Sequence, residues 1–100
     1  MQITQKLEGT TLRLSLQGRL STDTINELDD IVNNRLNNIN KLILDFSNLE
    51  FISSAGLRIL LVAHKKMEKH GHMIVFNAND SVMEIFRITG FIDILDLRKE

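Results

Sequence analysis

One hundred residues, 43% hydrophobic and 25% charged, suit a single soluble domain with one buried core. A net charge of −1, with no Trp or Tyr for stacking bases, argues against nucleic acid or an anionic membrane surface as a partner. Zero cysteine excludes disulfides and thiol chemistry and fits a cytoplasmic location. No apolar run nears the roughly 20 residues of a membrane helix, and the chain starts in a polar strand pattern rather than an apolar leader.

Met1 to Leu7 alternates weakly and reads as a short edge strand, followed by a turn at Glu8-Gly9-Thr10. Thr11 to Leu16 alternates cleanly, with Leu12, Leu14 and Leu16 on one side and Arg13 and Ser15 on the other. The two runs predict an antiparallel hairpin. Gly18-Arg19-Leu20 leaves the strand, and Ser21-Thr22-Asp23-Thr24 offers caps for a helix. In that helix Ile25, Leu28, Ile31, Val32, Leu36 and Ile39 recur at helical spacing. Glu27 allows a capping box, and Asn38 to Lys41 ends the element.

Leu42 to Phe46 is short and apolar, as a central strand should be, and Ser47 and Asn48 break it. A second helix is expected over about Ala55 to His70, with Ser53 or Ser54 at its N-cap and Gly71 as a left-handed C-cap. Its spacing gathers Leu57, Leu60, Leu61, Ala63, His64 and Met67 toward the sheet. Arg58, Val62, Lys65, Lys66 and Lys69 fall on the other face, and Ile59 lies at the margin. Met73 to Phe76 is another buried strand. Asn79-Asp80-Ser81 caps a third helix that Thr89-Gly90 stops, and Ile94 to Leu97 reads as a last short strand before a solvated tail. Strand, helix, strand implies a parallel pair. The expected fold is α/β: a mixed sheet of four or five strands with helices packed against it, in one domain over residues 1–100.

The chemistry concentrates at the second helix. A helix start collects free N–H groups and the positive end of the dipole, so a serine there can cap the helix or carry a phosphate. His64, His70 and His72 have no carboxylate or cysteine at ligand spacing, so no metal is expected. Gly56 alone does not make a nucleophile elbow around Ser54, and no Gly-rich phosphate loop is present. No catalytic residue and no cofactor are expected.

Residues 42–61 resemble the signature of the STAS domain, and within it the bacterial anti-sigma factor antagonists. That signature is a strand, a short loop, a run of aspartate, serine, serine or threonine, glycine and leucine, and then a helix. The modified serine lies two positions before the glycine. Gly56 and Leu57 match the glycine and leucine, which makes Ser54 the matching serine, with Ser53 as the alternative. The usual aspartate is Ser53 here, and the residue after the serine is Ala55. An acidic residue common in the family after the Gly18–Leu20 turn is Ser21, with Asp23 two positions on. The resemblance implies helices lying mainly on one side of the sheet and a non-enzymatic, partner-switching role. The unphosphorylated form would bind an anti-sigma factor that is a serine kinase, freeing a sigma factor; a serine phosphatase would reverse the modification. It implies a docking surface at Ser53, Ser54, Ala55, Gly56, Arg58, Val62 and Lys65. Two alternatives remain open: an unphosphorylated STAS subunit of a larger assembly, such as a lipid-transport ABC complex or signalling scaffold, and a small-ligand or nucleotide-binding domain.

Overall fold

The computed structural model describes residues 1–100. The elements in chain order are β1 (Gln2–Glu8), β2 (Thr11–Leu20), α1 (Asn26–Asn34), β3 (Lys41–Ile52), α2 (Ser54–Glu68), β4 (His72–Phe76), α3 (Asp80–Thr89), a 3-10 turn at Phe91–Asp93, and β5 (Asp96–Arg98). They form one mixed sheet of five strands in the order β1-β2-β3-β4-β5. The β1–β2 hairpin is antiparallel, and every other pair is parallel.

The period-two pattern sorts the sheet into two faces. Leu12, Leu14 and Leu16 on β2, Leu42, Leu44 and Phe46 on β3, and Met73 and Val75 on β4 join the core. Leu28, Ile31 and Val32 of α1, Leu60, Ala63 and Met67 of α2, and Val82 and Phe86 of α3 complete it, so all three helices cover this one face. The opposite face carries Arg13, Ile43, Asp45, Ile74 and Phe76. There Ile74 is only 1% exposed without any helix over it. Arg13 lies across the Phe76 ring at 5.9 Å and pairs with Asp45 (2.9 Å) and Glu100 (2.6 Å). The chain's last residue is thus tied to the helix-free face; the expected solvated tail is exposed but anchored.

Several boundaries differ from the sequence expectation. β3 runs straight through Ser47 and Asn48 for 12 residues. Its pairing with β4 stops at Asp45↔Phe76, so its second half pairs as a strand only with β2, while the Asn77 side chain donates to Ser47 Oγ (3.1 Å) and the Asn79 side chain to Leu49 C=O (3.0 Å) on the other edge. Polar side chains sit there at little cost, while Leu49 and Ile52 still reach the core. β2 likewise continues past Leu16 to Leu20. Gly18, at φ 106°, lies between two register shifts against β3, a bulge that only glycine takes easily.

α1 stops at Asn34, and no side chain caps its start; the capping box does not form. Leu36 and Ile39 are buried, but from a loop whose Asn-rich sequence has weak helix propensity. Their helical spacing was coincidental. The C-cap of α2 is Lys69, and Gly71 lacks a positive φ. Gly71 is needed for space instead: a Cβ would lie 2.2 Å from the Asn40 carbonyl oxygen. On α2, Ile59 is buried and Leu61 only half-buried, the reverse of the expected assignment, and His64 is half-buried. The final strand begins later than expected, because Phe91 and Ile92 turn back onto the core and Phe91 stacks on Phe86 at 6.4 Å. α3 begins and ends as expected, with the Asn79 side chain accepting from Val82 N–H (2.8 Å) and Gly90 left-handed.

A candidate docking site at the start of the second helix

The site is built where β3 hands the chain to α2. Ile52 ends β3 in the core, and the Ser53 N–H donates to Leu20 C=O (2.9 Å), which pins the handover to the end of β2. Ser53 is extended (φ −93°, ψ 175°), and its hydroxyl accepts from Gly56 N–H at 3.3 Å. Its carbonyl accepts the first helical bond, from Leu57 N–H at 2.9 Å. Ser53 is therefore the N-cap and Ser54 the first residue of the helix. Ser53 is half-buried, whereas Ser54 is exposed and its hydroxyl bonds no protein group. The two adjacent serines have different environments, which residue type alone could not show.

Gly56 sets how closely α2 approaches the sheet. A Cβ there would meet Ile52 Cγ1 at 2.8 Å and Leu20 Cγ at 2.9 Å. Its absence lets the helix start sit on the ends of β2 and β3. Ala55 is half-buried beside it.

The turn after β2 adjoins this start through the Leu20–Ser53 bond. Ser21 Oγ donates to Asp23 Oδ1 (2.7 Å), and this bond holds the Asp23 carboxyl below its ordinary pKa. The Ser21 N–H donates to Thr24 Oγ1 (2.9 Å), which itself donates to Arg19 C=O (2.6 Å). Ser21, Asp23 and Thr24 thus fold a tight turn rather than cap α1. Arg19 stacks its guanidinium on Phe51 at 4.5 Å, a cation–π pair across β2 and β3. Sequence reading missed this pair because both strands were expected to end before it.

Down the helix, Arg58 and Lys65 are exposed, while Val62 is half-buried and packs against the core rather than standing free. Ser54, Arg58, Val62 and Lys65 follow one another at spacings of three or four residues, so the helix brings them onto one strip. The three histidines are separate. His64 faces Glu68 at 3.6 Å, His70 bonds Ile39 C=O at 3.0 Å, and His72 meets Asp96 at 2.7 Å.

A single helical layer on one face of a five-stranded mixed sheet, with a serine-capped helix following its central strand, defines the class of fold. A family model for the STAS domain matches residues 2–100, and the chain belongs to that family. BtrV of Bordetella bronchiseptica, described as a candidate anti-sigma factor antagonist, is 36% identical over 55 residues; the match covers 54% of this chain and 47% of BtrV. The chain thus matches about half the length of this curated relative. Among solved structures, an anti-sigma factor antagonist from Mycobacterium paratuberculosis superposes with a TM-score of 0.87 at 20% identity, covering 97% of this chain and 84% of that one. The Bacillus protein SpoIIAA superposes in its unphosphorylated form with a TM-score of 0.82 (19% identity; 96% and 87% covered). Its phosphorylated form gives 0.77 (17% identity; 96% and 90% covered). These structures share the five-stranded mixed sheet and its helices.

Proposed function

We propose that this domain is an anti-sigma factor antagonist, acting by binding rather than catalysis, and that phosphorylation of Ser54 switches the binding off. The observation that carries the reading is the exposed, unpartnered Ser54 hydroxyl at the first position of α2, beside a Ser53 hydroxyl already used as the cap. Modification of Ser54 leaves that cap in place. The names of BtrV and of the solved neighbours support the antagonist role, and SpoIIAA is known in both phosphorylated and unphosphorylated forms.

The switch needs no refolding. Unmodified Ser54 offers a small neutral surface to a partner, an anti-sigma factor that is also a serine kinase. A phosphate adds about −1.5 to −2 charges. The N-terminal N–H groups of α2 stabilise that charge in the free protein, whereas docking must strip its water. A loss of about 1.4 kcal/mol weakens binding tenfold. A serine phosphatase then restores the binding form.

The test begins with mass spectrometry of the protein purified from its host with phosphatases inhibited. Phosphate is expected on Ser54. Ser54→Ala should bind the anti-sigma factor constitutively and Ser54→Asp at least about tenfold more weakly. Equal affinities, or phosphate only on Ser53, would refute Ser54 as the switch. If neither serine is modified and the domain co-purifies with membrane ATPase components, it is an assembly subunit instead.

A further inference from the structure

We propose that the partner surface docking on α2 is acidic, that Arg58 is its main counter-ion, and that a phosphate on Ser54 takes Arg58 for itself. The proposal rests on the antagonist reading and adds the chemistry of the partner.

Ser54, Arg58, Leu61, Val62, Lys65 and Lys69 form one strip along α2. Ser54, Arg58, Lys65 and Lys69 are exposed, and Leu61 and Val62 make a half-buried apolar waist. Neither Arg58 nor Lys65, Lys66 or Lys69 forms an ion pair within the protein. The one acidic residue on α2, Glu68, faces His64. Four unpaired cations therefore gather on one element of a chain whose net charge is −1.

Helix electrostatics accounts for part of this pattern. Lys65, Lys66 and Lys69 lie in the last turns and at the C-cap, where cations complement the dipole. Arg58 does not fit that account. It follows a first turn without any acidic residue, near the positive end of the helix, where the dipole disfavours a cation. Arg19, stacked on Phe51 just before the handover, adds another cation to the same end. The acidic side chains on neighbouring elements are Asp23, tied to Ser21, Glu50 on β3, and Glu27, Asp29 and Asp30 on α1, which packs against α2; Asp29 and Asp30 accept from Asn33 and Asn34, and none of the five pairs with a cation of α2. A surface of uncompensated cations around an apolar waist is complementary to an acidic ridge carrying an apolar side chain.

Position 58 is also one helical turn after position 54. An acidic group four residues before a basic one is the favoured order of such a pair, and guanidinium binds phosphate through paired, charge-assisted hydrogen bonds. Phosphorylation would both repel an acidic partner and occupy the arginine that attracts it.

The probe is the host's own anti-sigma factor kinases, purified one at a time and titrated against the wild-type domain at about 50 and about 300 mM NaCl. Affinity should fall several-fold with salt, and by about tenfold or more in Arg58→Glu. Lys99→Glu, on the tail, should bind as wild type, and circular dichroism should show all three folded. Independently, phosphoserine installed at position 54 is titrated by 31P NMR; its second ionisation should move up in Arg58→Gln. A kinase that binds regardless of salt and of Arg58→Glu overturns the acidic-partner inference and leaves the antagonist reading intact. A phosphate titration unmoved by Arg58→Gln overturns the intramolecular pair. If no anti-sigma factor kinase binds at either salt, the antagonist reading itself fails, and this inference with it.

Discussion

Two adjacent serines are divided between structure and candidate chemistry by one hydrogen bond. Ser53 is spent on the Gly56 N–H, and Ser54 is free. The division makes a stability prediction independent of any partner. Ser53→Ala removes a helix cap and should cost about 0.5–2 kcal/mol. Ser54→Ala, at an exposed site with no bond to lose, should stay within about 0.5 kcal/mol of wild type. Urea denaturation of the two variants measures the difference, and equal losses would contradict the cap assignment. Aspartate at the N-cap would add a negative charge to the helix start. With Ser53 there instead, no acidic residue in the first turn and Arg58 one turn on, the start of α2 carries no negative charge of its own, and an anion that reaches it is favoured.

At the scale of elements, the shortest strand is held by charge. β5 has three residues and pairs only with β4. Asp96 accepts two N–H bonds from Arg98 (2.9 and 2.8 Å) and meets His72 of β4 at 2.7 Å, and these partners pull its pKa from 3.8 to about 2. On the same face, burial pushes the Asp45 carboxyl up, but bonds from Ser47 and Arg13 outweigh it and leave the pKa lowered. Glu100 is lowered by its bonds to Arg13. All three carboxyls protonate more readily in the unfolded chain, so stability rises with pH through their range. It should be complete above about pH 5 and be lost as the pH falls toward about 2. Thermal unfolding from pH 5 to pH 2 tests this. Asp96→Asn should lower stability at pH 5 and flatten the decline; a decline parallel to wild type would show that Asp96 contributes nothing to it.

For the whole molecule, two glycines set the closest approaches between parts of the fold. Gly56 seats α2 against Leu20 and Ile52 side chains, and Gly71 passes over the backbone of Asn40 between α1 and β3. The neighbours differ in how far they can yield. The Leu20 and Ile52 side chains can yield by turning about their own bonds, whereas a Cβ 2.2 Å from a carbonyl oxygen must move backbone. Gly56→Ala should therefore cost about 1–3 kcal/mol, and Gly71→Ala more. Equilibrium denaturation ranks them, and the opposite order would refute this account. Gly56→Ala should also displace the start of α2 and weaken partner binding, a loss that Gly71→Ala, at the far end of the helix, should not share in its folded fraction.

By itself the sequence determined the α/β class, the core faces of β2, β3 and β4, the existence of three helices, and a serine at the start of the second. Those features follow from periodicity and from local chemistry at caps and turns, which act within a few residues. Tertiary structure decided what depends on distant neighbours. Ser47 and Asn48 remain in a strand because β2 runs on beside them after β4 ends opposite Asp45, and Asn77 and Asn79 bond the edge that β4 leaves. Leu36 and Ile39 are buried without a helix because α1 loses its propensity at an Asn-rich turn while the core still takes their side chains. Strand order, the Arg19–Phe51 and Arg13–Glu100 pairs, and the choice of Ser53 rather than Ser54 as the cap were likewise settled there. In each case the deciding partner lies far along the chain or depends on how α2 seats against β2, and short-range pattern carries no information about either.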